Sequence, residues 1–167
     1  NGSLGTGRDL LLNTPRNATF IAPVTVGGDA TVTNAAALQF DGALTVTGAL
    51  TQVAGTTSSR FASISAASIA IDSPTITVTN AVTATSGGAT FTAGLAGKVT
   101  VGGNTNIAGA LSVTRADEVI LTGNVTAASV NVGSTSVRTM TFGTNLSATA
   151  GGVTLIGANG PISVLGT

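Results

Sequence analysis

Residues 24–32 read VTVGGDATV and residues 99–107 read VTVGGNTNI. The same phrase returns as LTVTGALTQ at 44–52, ITVTNAVTA at 76–84, ATFTAGLAG at 89–97, VILTGNVTA at 119–127 and MTFGTNLSA at 140–148. The template is apolar, Thr, apolar, Gly or Thr, two small or turn-forming residues, then a third apolar residue. Of its 21 apolar slots, 20 hold Ala, Val, Ile, Leu, Met or Phe, and the exception is Thr105. Apolar residues alternate with Thr over the first three slots, the period-2 pattern of a half-buried strand. The β-branched residues that fill it suit a pleated surface. The Gly, Asn and Asp that follow permit left-handed backbone angles and so mark a corner or tight turn. Each phrase therefore reads as strand, bend, strand.

The spacing of the phrases predicts how they stack. Leu4, Val24, Leu44 and Ile64 recur every 20 residues, and Val99, Val119 and Met140 follow at 20 and 21. Val24, Leu44, Val99, Val119 and Met140 are therefore expected to form a stacked core. Asn104, Asn124 and Asn145 keep the same interval and are expected to form an Asn ladder, in which the amide of one coil bonds to the next. The copies at Ile76, Ala89 and Val153 fall out of phase and are assigned to another face. Residues 53–97 keep the period poorly, which predicts a bulge or longer loop, placed at 54–60 (AGTTSSR). Repeats of about 20 residues signal a solenoid. The expected fold is all-β, one parallel β-helix solenoid domain over residues 1–167, with roughly 8 coils of ~20 residues at a rise of about 4.8 Å per coil. An antiparallel β-sandwich of short strands is the alternative. The aligned Asn and Thr slots argue against it, as does an aromatic content of 3%, since sandwich cores carry more large rings.

Composition narrows the function. Charged residues make up 7% of the chain and the net charge is zero, against the usual quarter of residues charged. Such a surface has no electrostatic footprint for nucleic acid and no basic face for a membrane surface. No apolar run approaches the ~18 residues of a membrane-spanning helix. The chain has no Cys and no His, which removes disulfides and the usual zinc ligands. No initiator Met is present, which points to a processed protein or a piece of a longer one.

Candidate chemistry is sparse. The six acids are Asp9, Asp29, Asp41, Asp72, Asp117 and Glu118. Asp117 and Glu118 are adjacent and would point to opposite faces of a strand; with Arg115 they read as a solvated charged corner. A β-helix enzyme acting on carbohydrate would need clustered carboxylates, so a groove joining Asp117, Glu118, Arg115 and Asp72 would favour it. Asp9 and Asp29 are 20 apart and offer the one candidate calcium site, although Asp is also a common turn residue. Gly27-Gly28 and Gly102-Gly103 open no helix and are not phosphate loops. Thr-x-Thr triplets at 31/33, 45/47, 77/79, 83/85, 90/92 and 139/141 raise an ice-binding reading, but their irregular intervals do not make one flat array. Asn17, Asn124 and Asn145 match the glycosylation acceptor pattern, as chance allows in a chain rich in Asn, Thr and Ser. No residue is assigned a catalytic, metal or cofactor role.

The phrases VTVGGDATVT, LTVTGALT and VILTGNVTA resemble the repeats of secreted bacterial β-helix proteins, the filamentous-haemagglutinin-like adhesins and autotransporter passenger domains. That resemblance implies a right-handed parallel β-helix exported to the cell surface as a stalk, adhesin or filament, meeting host or neighbouring-cell glycans or proteins. The secretion domain and membrane barrel of those families are not in this sequence. The expected function is a non-enzymatic extracellular structural or adhesive solenoid. Its expected partner is itself, by head-to-tail stacking into a filament, or the rest of a longer chain.

Overall fold

The computed structural model describes residues 4–54, 57–133, 137–158 and 160–166. Among them there is no helix, and twenty strands join into one sheet whose pairings are all parallel. The chain winds as a β-solenoid of eight coils, and each coil contributes a strand segment to each of three faces.

Face 1 stacks β1 (Leu4–Thr6), β4 (Val24–Val26), residues 44–46 of β6 (Ala37–Val46), residues 64–66 of β8 (Ser58–Ala66), β11 (Val82–Ala84), residues 105–107 of β14 (Thr105–Arg115), residues 125–127 of β16 (Val125–Gly133), and β18 (Leu146–Ala148). Face 2 stacks β2 (Leu10–Asn13), β5 (Ala30–Asn34), β7 (Ala49–Gln52), β9 (Ser68–Asp72), β12 (Ala89–Thr92), the later parts of β14 and β16, and β19 (Val153–Ile156). Face 3 stacks β3 (Ala18–Phe20), the earlier parts of β6 and β8, β10 (Ile76–Val78), β13 (Lys98–Val101), β15 (Glu118–Leu121), β17 (Thr139–Phe142) and β20 (Ile162–Val164). β6 and β8 bend from face 3 onto face 1, and β14 and β16 bend from face 1 onto face 2.

The alternation in the phrase sets which side chains enter the core. In β4 Val24 and Val26 are buried and Thr25 is exposed, and in β10 and β11 a half-buried Thr stands between two buried residues. Val24, Leu44, Val99, Val119 and Met140 are all buried, but they form two stacks. Val24 lies under Leu44 on face 1, while Val99, Val119 and Met140 stack on face 3. Ile76 joins the second stack directly beneath Val99, so it is in phase with that series. Ala89 and Val153 do occupy a different face, face 2.

Coil length varies, and the excess sits elsewhere than expected. Successive face-1 strands begin at Leu4, Val24, Leu44, Ile64, Val82, Thr105, Val125 and Leu146, so one 18-residue coil is followed by one of 23. The long coil holds most of its extra residues at 93–97, where the Gly97 N–H donates to the Gly94 carbonyl at 2.8 Å. This turn lifts Leu95 out of its apolar slot to 70% exposure. Ser58–Arg60, assigned to a loop from sequence, open strand β8; residues 55 and 56 of that stretch lie outside the described residues.

The described corners are turned without the left-handed backbone that their Gly, Asn and Asp permit. Among the described residues the one positive φ is at Gly133 (120°). Corner glycines serve close approach between coils: a Cβ on Gly27 would lie 2.9 Å from the Gly7 carbonyl carbon.

Two features of the interior escaped the phrase alignment. Phe20, Phe40 and Phe61 stack on face 3 with ring centroids 4.5 and 5.5 Å apart and planes within 9°. Gln52 and Ser59 are buried in core slots of one coil, where the Ser59 hydroxyl donates to Gln52 Oε1 at 2.8 Å.

Candidate functional site

Six of the twelve charged residues gather at one corner. Between faces 2 and 3, at successive levels, lie Asp72, Lys98, Arg115, Asp117, Glu118 and Arg138. They resolve into three ion pairs. Lys98 Nζ meets Glu118 Oε2 at 2.8 Å, Arg115 Nη2 stands 4.0 Å from Asp72 Oδ1, and Arg138 clasps Asp117 through both carboxylate oxygens. The register brings them together: Lys98 pairs with Glu118, and Glu118 with Thr139, at the start of face-3 strands. The Arg138–Asp117 contact is bidentate, the strongest geometry of this pair type. Its hydrogen bonds hold the Asp117 carboxyl below its ordinary value; partial desolvation opposes them and the Arg138 charge adds to them. Arg138 is correspondingly raised by the same partner.

Asp117 and Glu118 do not diverge to opposite faces. Asp117 sits in the corner, Glu118 opens β15, and both line one recess of about 260 Å³ with Arg138, Thr139 and Gly160. Arg115 and Asp72 pair with each other one step away and do not line it. Each acid of this corner therefore faces its own cation. A second recess, of about 200 Å³, joins Asp41, Arg60, Thr79 and Asn80 beside Phe40. There Gln39 Nε2 donates to Asp41 Oδ1 at 2.7 Å.

Asp9 and Asp29 do stack on neighbouring coils, as their spacing implies. Asp9 Oδ1 accepts the Asp29 N–H at 2.9 Å, and Asp29 Oδ1 accepts the Ala49 N–H at 2.7 Å. Each carboxylate thus caps the backbone of the next coil at the corner entering face 2. Gly28 and Gly48 make this possible, since a Cβ on either would collide with the carboxylate below it. Among the described residues no three His, Cys, Asp or Glu side chains group as metal ligands.

The Asn series behaves like the Asp pair. Asn104 Oδ1 accepts the backbone N–H of Asn124 at 3.1 Å, a side-chain-to-backbone bond in place of the expected amide-to-amide one. The backbone continues the stack: Thr105 N–H donates to the Asn124 carbonyl and Val125 N–H to the Asn145 carbonyl, both at 2.8 Å. Asn17, Asn124 and Asn145 are exposed. The Thr-x-Thr triplets scatter over all three faces. A different row emerges on face 1, where Thr25, Thr45, Ser65, Thr83, Asn106, Thr126 and Ser147 stand one above another, one per coil. Among the described residues no helix is long and apolar enough to cross a membrane. Comparison with models of protein families, with curated proteins and with solved structures finds no match to this chain.

Proposed function

We propose that this chain is a non-enzymatic, load-bearing β-solenoid of the bacterial cell exterior, a stalk or fibre segment of adhesin type. The observation that carries the reading is the unbroken parallel ladder through eight coils on three faces, wrapped around one apolar core. Backbone hydrogen bonds run along the axis, so tension along it is shared by three ladders at every level. The acids of the recess lined by Asp117, Glu118 and Arg138 are matched to cations, which supports a structural role over carbohydrate cleavage. Ice binding is the least supported alternative, because the paired Thr positions are divided among the faces.

Immunolabelling of intact producing cells tests the location: labelling without permeabilisation is expected, and labelling only after permeabilisation overturns it. Incubation with neutral and acidic polysaccharides tests the chemistry. Release of new chain ends that is lost on Asp117→Asn would replace the structural reading with an enzymatic one.

A second structural reading, a protomer stacking end to end, is favoured by the last coil. Ile162 and Val164 stand directly over Met140 and Phe142, yet they are 43% and 49% exposed where the residues beneath are buried. A further coil would cover them, whether from a longer chain or from a second copy. Electron microscopy of the purified chain separates a filament from a single rod.

A further inference from the structure

We propose that the corner between face 3 and face 1 binds an extended, uncharged glycan laid along the rod, one sugar to each level; the inference rests on the adhesive reading above and names its ligand. Two recesses lie on this corner. The one joining Asp41, Arg60, Thr79 and Asn80 spans three successive levels. The other, of about 350 Å³, is lined by Asn124, Gly143, Thr144, Asn145, Leu165 and Gly166 and spans three levels nearer the end of the chain. Between them the corner reads Gly102-Gly103-Asn104 at one level and Thr122-Gly123-Asn124 at the next. A ligand passing from one recess to the other therefore crosses bare backbone at Gly102, Gly103 and Gly123.

The corner presents amides in register. Asn80, Asn104, Asn124 and Asn145 stand exposed at four successive levels. Asn104 caps the Asn124 N–H, whereas among the described residues the carboxamides of Asn80, Asn124 and Asn145 meet no partner. A carboxamide offers donor and acceptor together, as the hydroxyls of a sugar ring require. From Thr79 onward this corner carries no charge. At its other end Asp41 and Arg60 line one recess from adjoining levels, yet they do not pair. Asp41 accepts from Gln39, and among the described residues Arg60 has no ion-pair partner. At the corner between faces 2 and 3 opposite charges close on each other; here the space between them stays open. The couple is neutral in sum and supplies an acceptor and several donors, which suits an uncharged ligand. Levels about 4.8 Å apart match the advance of one ring in an extended β-linked pyranose chain. Arg60 and Asn145 are four levels apart, about 19 Å, a span of about five rings. Phe40, the one aromatic residue lining either recess, is buried. Each sugar is thus held by hydrogen bonds alone, and affinity builds from several levels acting at once.

Calorimetric titration of the purified chain with cellohexaose, and with the β-1,4-linked hexamer of N-acetylglucosamine, tests this. At least one hexamer is expected to bind, about tenfold or more tightly than the trimer of the same sugar, because three rings cannot reach from Arg60 to Asn145. Maltohexaose, whose α-linkages curl the chain, is expected to bind about tenfold or more weakly than that hexamer. Asn124→Ala with Asn145→Ala, and separately Arg60→Gln, are each expected to weaken hexamer binding about tenfold. Asn131→Ala, at an exposed position of face 2, is expected to leave it unchanged. Circular dichroism verifies that the variants fold. Side-chain amide signals of Asn80, Asn124 and Asn145 are expected to shift during an NMR titration. Failure of both hexamers to bind at millimolar concentration overturns the proposal. So does equal affinity for trimer and hexamer, and so does hexamer binding that survives the paired Asn substitutions. Cell-surface labelling without such binding removes this inference and leaves the structural reading standing; binding by a chain confined to the cell interior does the reverse.

Discussion

Thr105→Val is expected to make the protein more stable. Thr105 occupies an apolar slot of the face-1 stack, between Val82 below and Val125 above. Its side chain is 1% exposed and its hydroxyl has no hydrogen-bond partner. Its backbone is satisfied, with the N–H donating to the Asn124 carbonyl at 2.8 Å. The substitution therefore removes only a desolvated, unpaired hydroxyl and keeps the branched shape that strands favour. Burying such a group costs about 1–3 kcal/mol, and replacing it with a methyl is expected to recover about 1–2 kcal/mol of that. For a chain of this size each kcal/mol moves the melting midpoint by about 2–4 °C, so a rise of roughly 2–8 °C follows. Calorimetry or thermal circular dichroism measures it. Thr126→Val, at an exposed position of the same face, is the control and is expected to change stability by less than about 0.5 kcal/mol. A Thr105→Val protein that melts at or below the parent temperature refutes the reasoning, because it would mean that the hydroxyl has a partner in the interior.

Three further outcomes follow from the geometry. Gly28→Ala is expected to destabilise strongly and Asp9→Ala to destabilise by about 1–2 kcal/mol; combined, they are expected to cost less than their sum by at least about 1 kcal/mol, because the Asp9 carboxylate is what a Cβ at Gly28 would strike, and chemical denaturation of the four proteins reads this coupling. Asp117 is an acid with a depressed native value, so its stabilisation is present above its unfolded value and lost as pH falls through the native one; Arg138→Gln is expected to return its titration toward 3.8, followed by carboxyl NMR. Phe40→Ala removes the central ring of the Phe20–Phe40–Phe61 stack and is expected to cost about 3–5 kcal/mol, with hydrogen exchange accelerating first in the first three coils, since each coil of a solenoid leans on its neighbours.

The winding was legible because the alternation of apolar residue and Thr is a local property, and parallel stacking repeats it at a constant interval. The assignment of each phrase to a face was not. VTVGG at residues 24–28 starts on face 1 and the identical VTVGG at 99–103 starts on face 3. Strand preference is the same at both sites, and what differs is the summed length of all the corners before them, which no local pattern records. The spacing is also about 20 within either face, so the interval from Val99 to Val119 carries no sign that it belongs to another stack than Val24 and Leu44. The aromatic stack had a signal that a scan by residue type would find, in Phe20, Phe40 and Phe61 at intervals of 20 and 21. The ion-pair corner had a weaker one. Lys98 and Glu118 are 20 apart, and Asp117 and Arg138 are 21 apart, so oppositely charged residues one coil apart mark contacts that adjacent-residue reasoning about Asp117 and Glu118 missed.

The corners also explain how coils of unequal length share one core. A strand segment on any face is held by the coils above and below, so a residue gained or lost inside it would turn its apolar side chains outward. A residue gained at a corner shifts only exposed backbone, at a small cost in chain entropy. The 23-residue coil accordingly keeps Phe91 and Val99 buried on either side of its five-residue turn and exposes Leu95 between them. By the same logic, side chains that reach from a corner to the next coil, Asp9, Asp29 and Asn104, tie down the places where the winding has most freedom to slip. The faces are fixed by their ladders and the corners by these caps, which leaves the outward rows of the three faces as the part of the surface whose chemistry is unconstrained by folding and open to selection for what the rod must touch.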